Sequence, residues 1–351
     1  MPRPSMKSFN VHVAQARQTV EVPDGSTVLT AALDAGIPYP FGCQSGSCGA
    51  CKSRLLRGEV AMRAHSDFAL TEDERARGLF LACRALPRSD SEVAWLEEDD
   101  FIFHPRRRLD CCVTAVDRAT HDIVRIRLEI AAGGPFAFSA GQFASVTFEG
   151  CPPRDYSMAN VPDDPILEFH VRLAPGGATS AHVSERLKAG DPVRVEGPFG
   201  SSYLRESHRG PIVVVAGGSG MAPMKSVVER ALQIGLPQPI RFYFGVRAPR
   251  DLYLDDHFAR LVETHENLSF IPVVSDEAPA GMRRGLVHDA IAEDVDTFDG
   301  CKAYLAGPPA MVEAAARLFE QRGMQRMDIH ADAFYTAAEM ARAGRRTGAE
   351  M

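Results

Sequence analysis

Four cysteines constrain this chain more than anything else in it. Cys43, Cys48 and Cys51 stand in "CQSGSCGAC" with the spacing C-x4-C-x2-C, and a fourth, Cys83, follows far downstream in "LACRA". Zinc sites usually pair their ligands as two short clips, and Cys83 lacks a nearby partner for a second clip. A disulfide framework belongs to small secreted domains. This chain has 351 residues, eight cysteines, and an N-terminus "MPRPSMKSFNVHV" without the charged start and apolar run of a secretory signal. The expected location is the cytoplasm, where thiols stay reduced, so an iron–sulfur cluster is the favoured reading of the four. Gly42, Ser45, Gly46, Ser47, Gly49 and Ala50 are small enough for the loop to wrap tightly and aim backbone N–H groups at sulfur.

The flanks fit that reading. "SFNVHV" and "QTVEV" alternate like two paired strands around residues 8–22, and "STVLTAALDAG" reads as a helix capped by Ser26 and stopped at Gly36. Strand, strand, helix, ligand loop and further short strands resemble a β-grasp ferredoxin of the plant 2Fe-2S type over roughly residues 5–97. Cys111, Cys112, Cys151 and Cys301 lie outside the pattern and are expected to be small buried hydrophobes.

"LEEDDFIFHPRRRLD" switches from acidic to basic without periodicity, which predicts a linker over 98–108. Next come "LDCCVTAVDR", "IVRIRLEI", "QFASVTFEG", "ILEFHVRL" and "DPVRVEGPFG", punctuated by Gly and Pro, which predict a small antiparallel β-barrel over 109–207. Within it lies "RDYSMAN". Some twenty residues on, "APGGATSAHVSERL" sets two glycines and a Thr-Ser pair ahead of a helical pattern, a place where free N–H groups face an anion. An Arg for a phosphate, a helix start for a pyrophosphate and a Tyr to stack on a flat ring describe a flavin site.

Here the chain resembles the ferredoxin–NAD(P) reductase superfamily, whose R-x-Y-S signature is present as Arg154, Tyr156 and Ser157. The resemblance implies that Arg154 binds flavin phosphate, Tyr156 covers the isoalloxazine and Ser157 hydrogen-bonds near flavin N5. It also implies that the backbone from His170 through Val171 to Leu173 edges the ring, while Gly177, Thr179 and Ser180 hold the pyrophosphate. FAD is expected rather than FMN, because relatives with FMN tend to carry the ferredoxin at the other end.

"GPIVVVAGGSGMAPMKSVVERALQIG" runs from a buried strand into glycines and then into a helix with Met224, Val227, Val228, Ala231 and Leu232 along one face. The strict G-x-G-x-x-G fingerprint is absent. Gly217, Gly218, Ser219, Gly220 and Pro223 match the family's nicotinamide-pocket loop, with Ser219 keeping the hydroxyl of the more usual Thr. "IRFYFGV", "LSFIPVV" and "KAYLAG" alternate with helical patterns, predicting an open parallel α/β sheet over 208–335. In "YLAGPPAMVEAA", Gly307, Pro308 and Met311 match a second pocket motif, but Ala306 replaces the family's cysteine; altered rate or affinity is expected, not loss of the site. Pro308-Pro309 also reads as a helix start. Phe334, in "IHADAFYTAAEM", is either the aromatic that lies near the flavin in these reductases or a core residue, and 336–351 reads as a tail. Arg247 follows a strand end where the adenosine ribose would lie; it pairs with a 2′-phosphate and selects NADPH, or contacts ribose alone. NADH is favoured.

Nicotinamide delivers two electrons together, a 2Fe-2S cluster takes one at a time, and flavin does both, so flavin belongs between them. The domain order resembles reductase components of bacterial multicomponent oxygenases, which implies a Rieske or diiron oxygenase partner docking near the cluster loop and acting on aromatic or hydrocarbon-like substrates. A reductase for a P450 or for a radical deoxysugar dehydrase shares every motif. A plain iron–sulfur carrier would need only residues 1–97. The formal charge of −7, without basic blocks, argues against nucleic acid, and no apolar run reaches membrane-spanning length.

Overall fold

The computed structural model describes residues 7–42, 44, 46, 49–67, 69–96, 102–276 and 279–335. Cys43 and Cys48 of the ligand set, 97–101 of the expected linker and the tail 336–351 lie outside the described residues. The chain divides into two compact units, one containing the residues up to Phe103 and the other running His104–Phe334.

In the first unit, β1 (Ser8–Val13) and β2 (Gln18–Pro23) pair antiparallel, with Val11 and Val13 of β1 and Val20 and Val22 of β2 turned to the core. Helix α1 (Val28–Asp34) buries Val28, Leu29, Ala31 and Ala32. Its cap is Thr27, whose hydroxyl accepts from Thr30 N, and not Ser26 as the sequence suggested; the Ser26 amide is held in the preceding turn by Pro23 O. Gly36, in the left-handed region, ends the helix as expected. Beyond the cysteine loop follow β3 (Lys52–Arg57), β4 (Val60–Met62), α2 (Glu72–Ala76), β5 (Leu79–Leu81), β6 (Ala85–Pro87) and β7 (Ser91–Trp95). The main sheet runs β2-β1-β7-β3-β5, with β7 parallel to β1, and is a β-grasp sheet.

The second unit opens with a six-stranded antiparallel sheet. Its strands are β8 (Arg107–Arg118), β9 (Ile123–Ala132), β10 (Phe143–Phe148), β11 (Arg154–Ser157), β12 (Ile166–Arg172) and, after helix α3 (Ala178–Glu185), β13 (Pro192–Phe199). The order β11-β10-β13-β8-β9-β12 curls into a near-closed barrel, because Met158 bridges Phe169 and Ala159 N donates to Glu168 O at 2.7 Å. Alternate residues Val124, Ile126 and Leu128 of β9 meet Leu167, Phe169 and Val171 of β12 inside it. The basic run read as linker already belongs to β8: Arg107 and Arg108 pair with Gly197 and Glu196, and Arg108 Nε lies 3.1 Å from the Glu196 carboxylate. Cys111 and Cys301 are buried as expected, but Cys112 and Cys151 are only half-buried; Cys112 faces the opposite side of β8 from Cys111.

A parallel sheet completes the unit. Strand β14 (Ile212–Gly217) is buried throughout and leads through a short 3-10 turn, Gly218–Gly220, into α4 (Met221–Gln233). The remaining elements are β15 (Ile240–Val246), α5 (Asp255–Thr264), β16 (Leu268–Val274), β17 (Arg283–Arg284), α6 (Val287–Asp294), β18 (Lys302–Gly307), α7 (Pro309–Gln321) and β19 (Ile329–Ala333). The order is β17-β16-β15-β14-β18-β19, so the winding reverses between β14 and β18. Open α/β sheets bind ligands outside the carboxyl ends of their strands at such a reversal.

Candidate functional site

Three cradles emerge, the first in the cysteine loop. Cys51 and Cys83 are 3% and 5% exposed, and Cys83 N donates to Cys51 Sγ at 3.5 Å. The loop reaches that tightness through Gly46, which adopts a left-handed backbone and leaves no room for a side chain: an added Cβ would lie 2.8 Å from Arg84 Cγ. Buried sulfur receiving a backbone N–H suits thiolate ligands of an iron–sulfur cluster. Cys43 and Cys48 are outside the described residues.

The second cradle lies on the barrel. β11 carries Arg154, Tyr156 and Ser157, opposite Val146, Ala144 and Phe143 of β10. The Arg154 guanidinium is exposed and donates to Pro153 O at 3.0 Å. Tyr156 packs partly against the barrel core, and burial pushes its phenol up to about 12 against the opposing pull of Arg154. Ser157 is buried. Nearby, α3 starts at Gly177 without any side-chain cap, leaving first-turn N–H groups for an outside acceptor. Thr179, 6% exposed, has a buried Oγ1 with no hydrogen-bond partner among the described residues. A buried hydroxyl is rarely left so, and an orphaned hydroxyl at an uncapped helix start fits a phosphate oxygen. Ser180 Oγ is already engaged by Ala174 N at 2.9 Å. Leu173 N is bonded to Asp122 O at 2.7 Å, and Val171 points into the barrel. The His170 imidazole projects from the opposite face of β12 to Val171, fully buried between Glu168 and Tyr253.

The third cradle sits at the winding reversal. Gly217, Gly218, Ser219 and Gly220 leave β14, Gly307 ends β18, and Pro308 caps α7. Gly220 presses on β18 so closely that a Cβ there would lie 2.0 Å from Ala306 O. A Cβ on Gly217 would meet Met311 Sδ at 2.6 Å, so Met311 covers that strand end. Pro223 is buried in the first turn of α4, and Ala306 is buried in β18. Arg247 is exposed just past β15, its carbonyl accepting from Asp276 N at 2.9 Å. Phe334 packs partly on the core of this sheet and donates its N–H to Gly307 O at 2.8 Å. The close backbone approach at the strand ends fits a nucleotide laid over them.

Sequence reasoning missed Tyr253, Lys225 and Ser226, which tie the third cradle to the second. Tyr253 Oη lies 3.0 Å from His170 Nδ1, Lys225 Nζ donates to Ala159 O at 3.0 Å, and Ser226 Oγ donates to Asn160 O at 2.7 Å. A Lys amid the apolar residues of "MAPMKSVV" was the one available signal.

Three family models match in chain order: a 2Fe-2S iron–sulfur cluster binding domain over residues 11–88, an oxidoreductase FAD-binding domain over 110–203 and an oxidoreductase NAD-binding domain over 214–317. The chain belongs to the family of ferredoxin–NAD(P)+ reductase components of oxygenase systems, and is an oxidoreductase that uses a 2Fe-2S cluster, FAD and a nicotinamide nucleotide. It is 40% identical to the reductase component of a Ralstonia naphthalene 1,2-dioxygenase/salicylate 5-hydroxylase system, over 89% of this chain and 94% of that one. It is 39% identical to the reductase subunit of an Amycolatopsis aromatic O-demethylase, over 94% and 100% of the two chains. Among solved structures, a cytochrome P450 reductase of Amycolatopsis superposes with a TM-score of 0.77 at 39% identity, covering 94% of this chain and 99% of that one.

Proposed function

We propose that this chain draws electrons from NADH and delivers them, through FAD and then the 2Fe-2S cluster, to a terminal oxygenase of Rieske or diiron type that docks near the cluster loop. The observation that carries the reading is that one unit holds both an uncapped helix start with an orphaned Thr179 hydroxyl and a glycine-lined strand edge, on a chain that also buries Cys51 and Cys83. The domains are assigned to 1–97, 107–207 and 208–335, with 98–106 as linker and 336–351 as tail. When bound, the nicotinamide supplies paired electrons, the flavin takes the pair and gives single electrons, and the cluster relays them one by one.

The chain's own work is positional. Arg154, Gly177, Thr179, Ser180 and the α3 start hold flavin phosphates, and Tyr156 covers the ring while Ser157 bonds near N5. The backbone of His170, Val171 and Leu173 edges the ring. Gly217, Gly218, Ser219, Gly220, Pro223, Gly307, Pro308 and Met311 shape the nicotinamide pocket. Arg247 reaches the ribose, and Phe334 shields the ring from water. Cys43, Cys48, Cys51 and Cys83 ligate the cluster. Ala306 offers no thiol to the pocket. Among the described residues, no helix is long and apolar enough to cross a membrane, and the cytoplasm is the proposed location.

The test is anaerobic spectroscopy: NADH must bleach both the flavin bands and the broad sulfur-to-iron absorption. Cys83→Ala must then abolish cytochrome c reduction while NADH-driven ferricyanide reduction persists. Bleaching of neither chromophore, or equal loss of both activities, sinks the reading. A second reading, service to a P450, is favoured by the likeness to the Amycolatopsis P450 reductase over nearly the whole chain. Turnover restored to a P450 but to no Rieske or diiron oxygenase decides for it.

A further inference from the structure

Beyond both cofactor cradles, a buried polar seam joins the nicotinamide-pocket elements to the strands that carry the flavin signature. From the nucleotide side come Tyr253, just ahead of α5, and Lys225 and Ser226 in the second turn of α4. From the barrel side come His170 on β12 and the carbonyls of Ala159 and Asn160, two and three residues after Ser157. Asn160 is itself fixed, since its Oδ1 accepts from Glu168 N at 3.0 Å. His170 Nε2 lies 2.8 Å from Glu168 Oε1, and Arg125 Nε lies 3.2 Å from the same oxygen.

The hydrogens can be assigned. Burial pushes the His170 imidazole below its ordinary value, with the Arg125 and Lys225 charges adding to it against the pull of Glu168, so the ring is neutral. Burial would raise the Glu168 carboxyl, but His170, Lys225 and Arg125 together hold it below the usual carboxylate range. Nε2–H therefore donates to the Glu168 carboxylate, and Nδ1 accepts from the Tyr253 hydroxyl, which burial keeps protonated. The Gly218 carbonyl, first of the pocket turn and 3.4 Å from the same oxygen, is the alternative acceptor for that single proton. The ties thus end within three residues of Ser157 or on the flavin-edging strand, and they start from α4, which continues the pocket turn, and from Tyr253 beside it.

The geometry points to Tyr253, Ser226 and Lys225 as positioning residues for electron transfer from nicotinamide to flavin: they hold the Gly218–Gly220 turn in register with the Ser157–Asn160 segment, and so set the approach of the two rings. The inference rests on the proposed flavin and nicotinamide sites. Buried hydrogen bonds are directional, whereas the apolar contacts beside them tolerate sliding.

The experiment uses the FAD-loaded full chain and two mild variants, Tyr253→Phe and Ser226→Ala, alone and combined. The aromatic variant keeps the edge-to-face packing on Phe244 and His170. Hydrogen exchange without NADH should show amides of 218–224 and 158–160 exchanging at least about fivefold faster in the double variant, with α6 and α7 unchanged. At saturating NADH its flavin-bleaching rate should fall about tenfold, with KM within about twofold and a larger isotope effect from NADH deuterated at the transferred position. Unchanged exchange in these segments overturns the inference, as does a rate loss that merely tracks a lower melting temperature with no change in isotope effect. A parent protein that binds no FAD would defeat the proposed function, while the exchange comparison in the FAD-free chain would still decide whether the seam holds the two segments together.

Discussion

Replacing Gly220 by Ala is the sharpest probe of the nicotinamide pocket. The new Cβ would sit 2.0 Å from Ala306 O and 2.4 Å from Ala306 C, all backbone atoms of a central strand, whereas real Cβ contacts essentially never fall below 3.0 Å. The turn must therefore retreat from β18 by at least the missing 1.0 Å. Misplacing reacting groups by about 1 Å costs on the order of a hundredfold in rate, equivalent to ~2.7 kcal/mol of barrier. Stopped-flow bleaching of bound FAD by saturating NADH reads this directly, and FAD content should match the parent because the second cradle is untouched. Gly217→Ala provides the internal comparison. Its Cβ would meet the end of the flexible Met311 side chain at 2.6 Å and the Pro308 ring at 2.8 Å, and Met311 can swing aside. Its loss should be several-fold smaller. A Gly220→Ala rate within about threefold of the parent, or a larger loss in Gly217→Ala, would refute the reasoning.

Three further outcomes are expected. Thr179→Val removes the orphaned hydroxyl at constant shape, so FAD affinity measured by fluorescence titration should fall about fivefold to tenfold, one hydrogen bond's worth, while the FAD-free protein melts no lower than the parent. His330, buried against Tyr304, has its imidazole held well below the ordinary value by burial, with Arg205, Lys302 and His208 adding to it. It stays neutral in the folded chain while the unfolded chain takes up a proton near pH 6.5, so its stabilising contribution is present above that pH and is lost as pH falls. Unfolding at pH 7.5 and 5.5 should show a drop that His330→Phe lessens by ~1.4 kcal/mol; equal drops in both proteins would count against it. Arg247→Ala should leave NADH turnover within about twofold, and a collapse confined to NADPH turnover would reverse the choice of nucleotide.

How much of this was legible in the sequence depends on the range over which each feature is decided. The cysteine spacing, "RDYS" and the run "IVVVAGGSG" could be read because each is a local solution to a local problem: ligating a cluster, presenting an Arg and a Tyr on one strand, turning a buried strand into a helix start. Where neighbouring residues offer equivalent chemistry, the reading slipped by one place. Ser26 and Thr27 both carry a cap hydroxyl, and the turn that holds the Ser26 amide on Pro23 O leaves Thr27 at the helix start. The arginines at 107 and 108 looked like a linker because the exposed start of a strand has no apolar alternation to reveal it; their strand partners are Gly197 and Glu196, the latter 88 residues from Arg108. The seam was the least legible of all. His170 and Tyr253 are separated by 83 residues, and neither belongs to a motif that names its partner. A buried polar residue announces in sequence only that it must be satisfied; what satisfies it is fixed when the barrel and the parallel sheet meet. Polar residues flanked by apolar runs, such as Lys225 and His170, are therefore where this chain carries contacts between its barrel and its parallel sheet that no local pattern reveals.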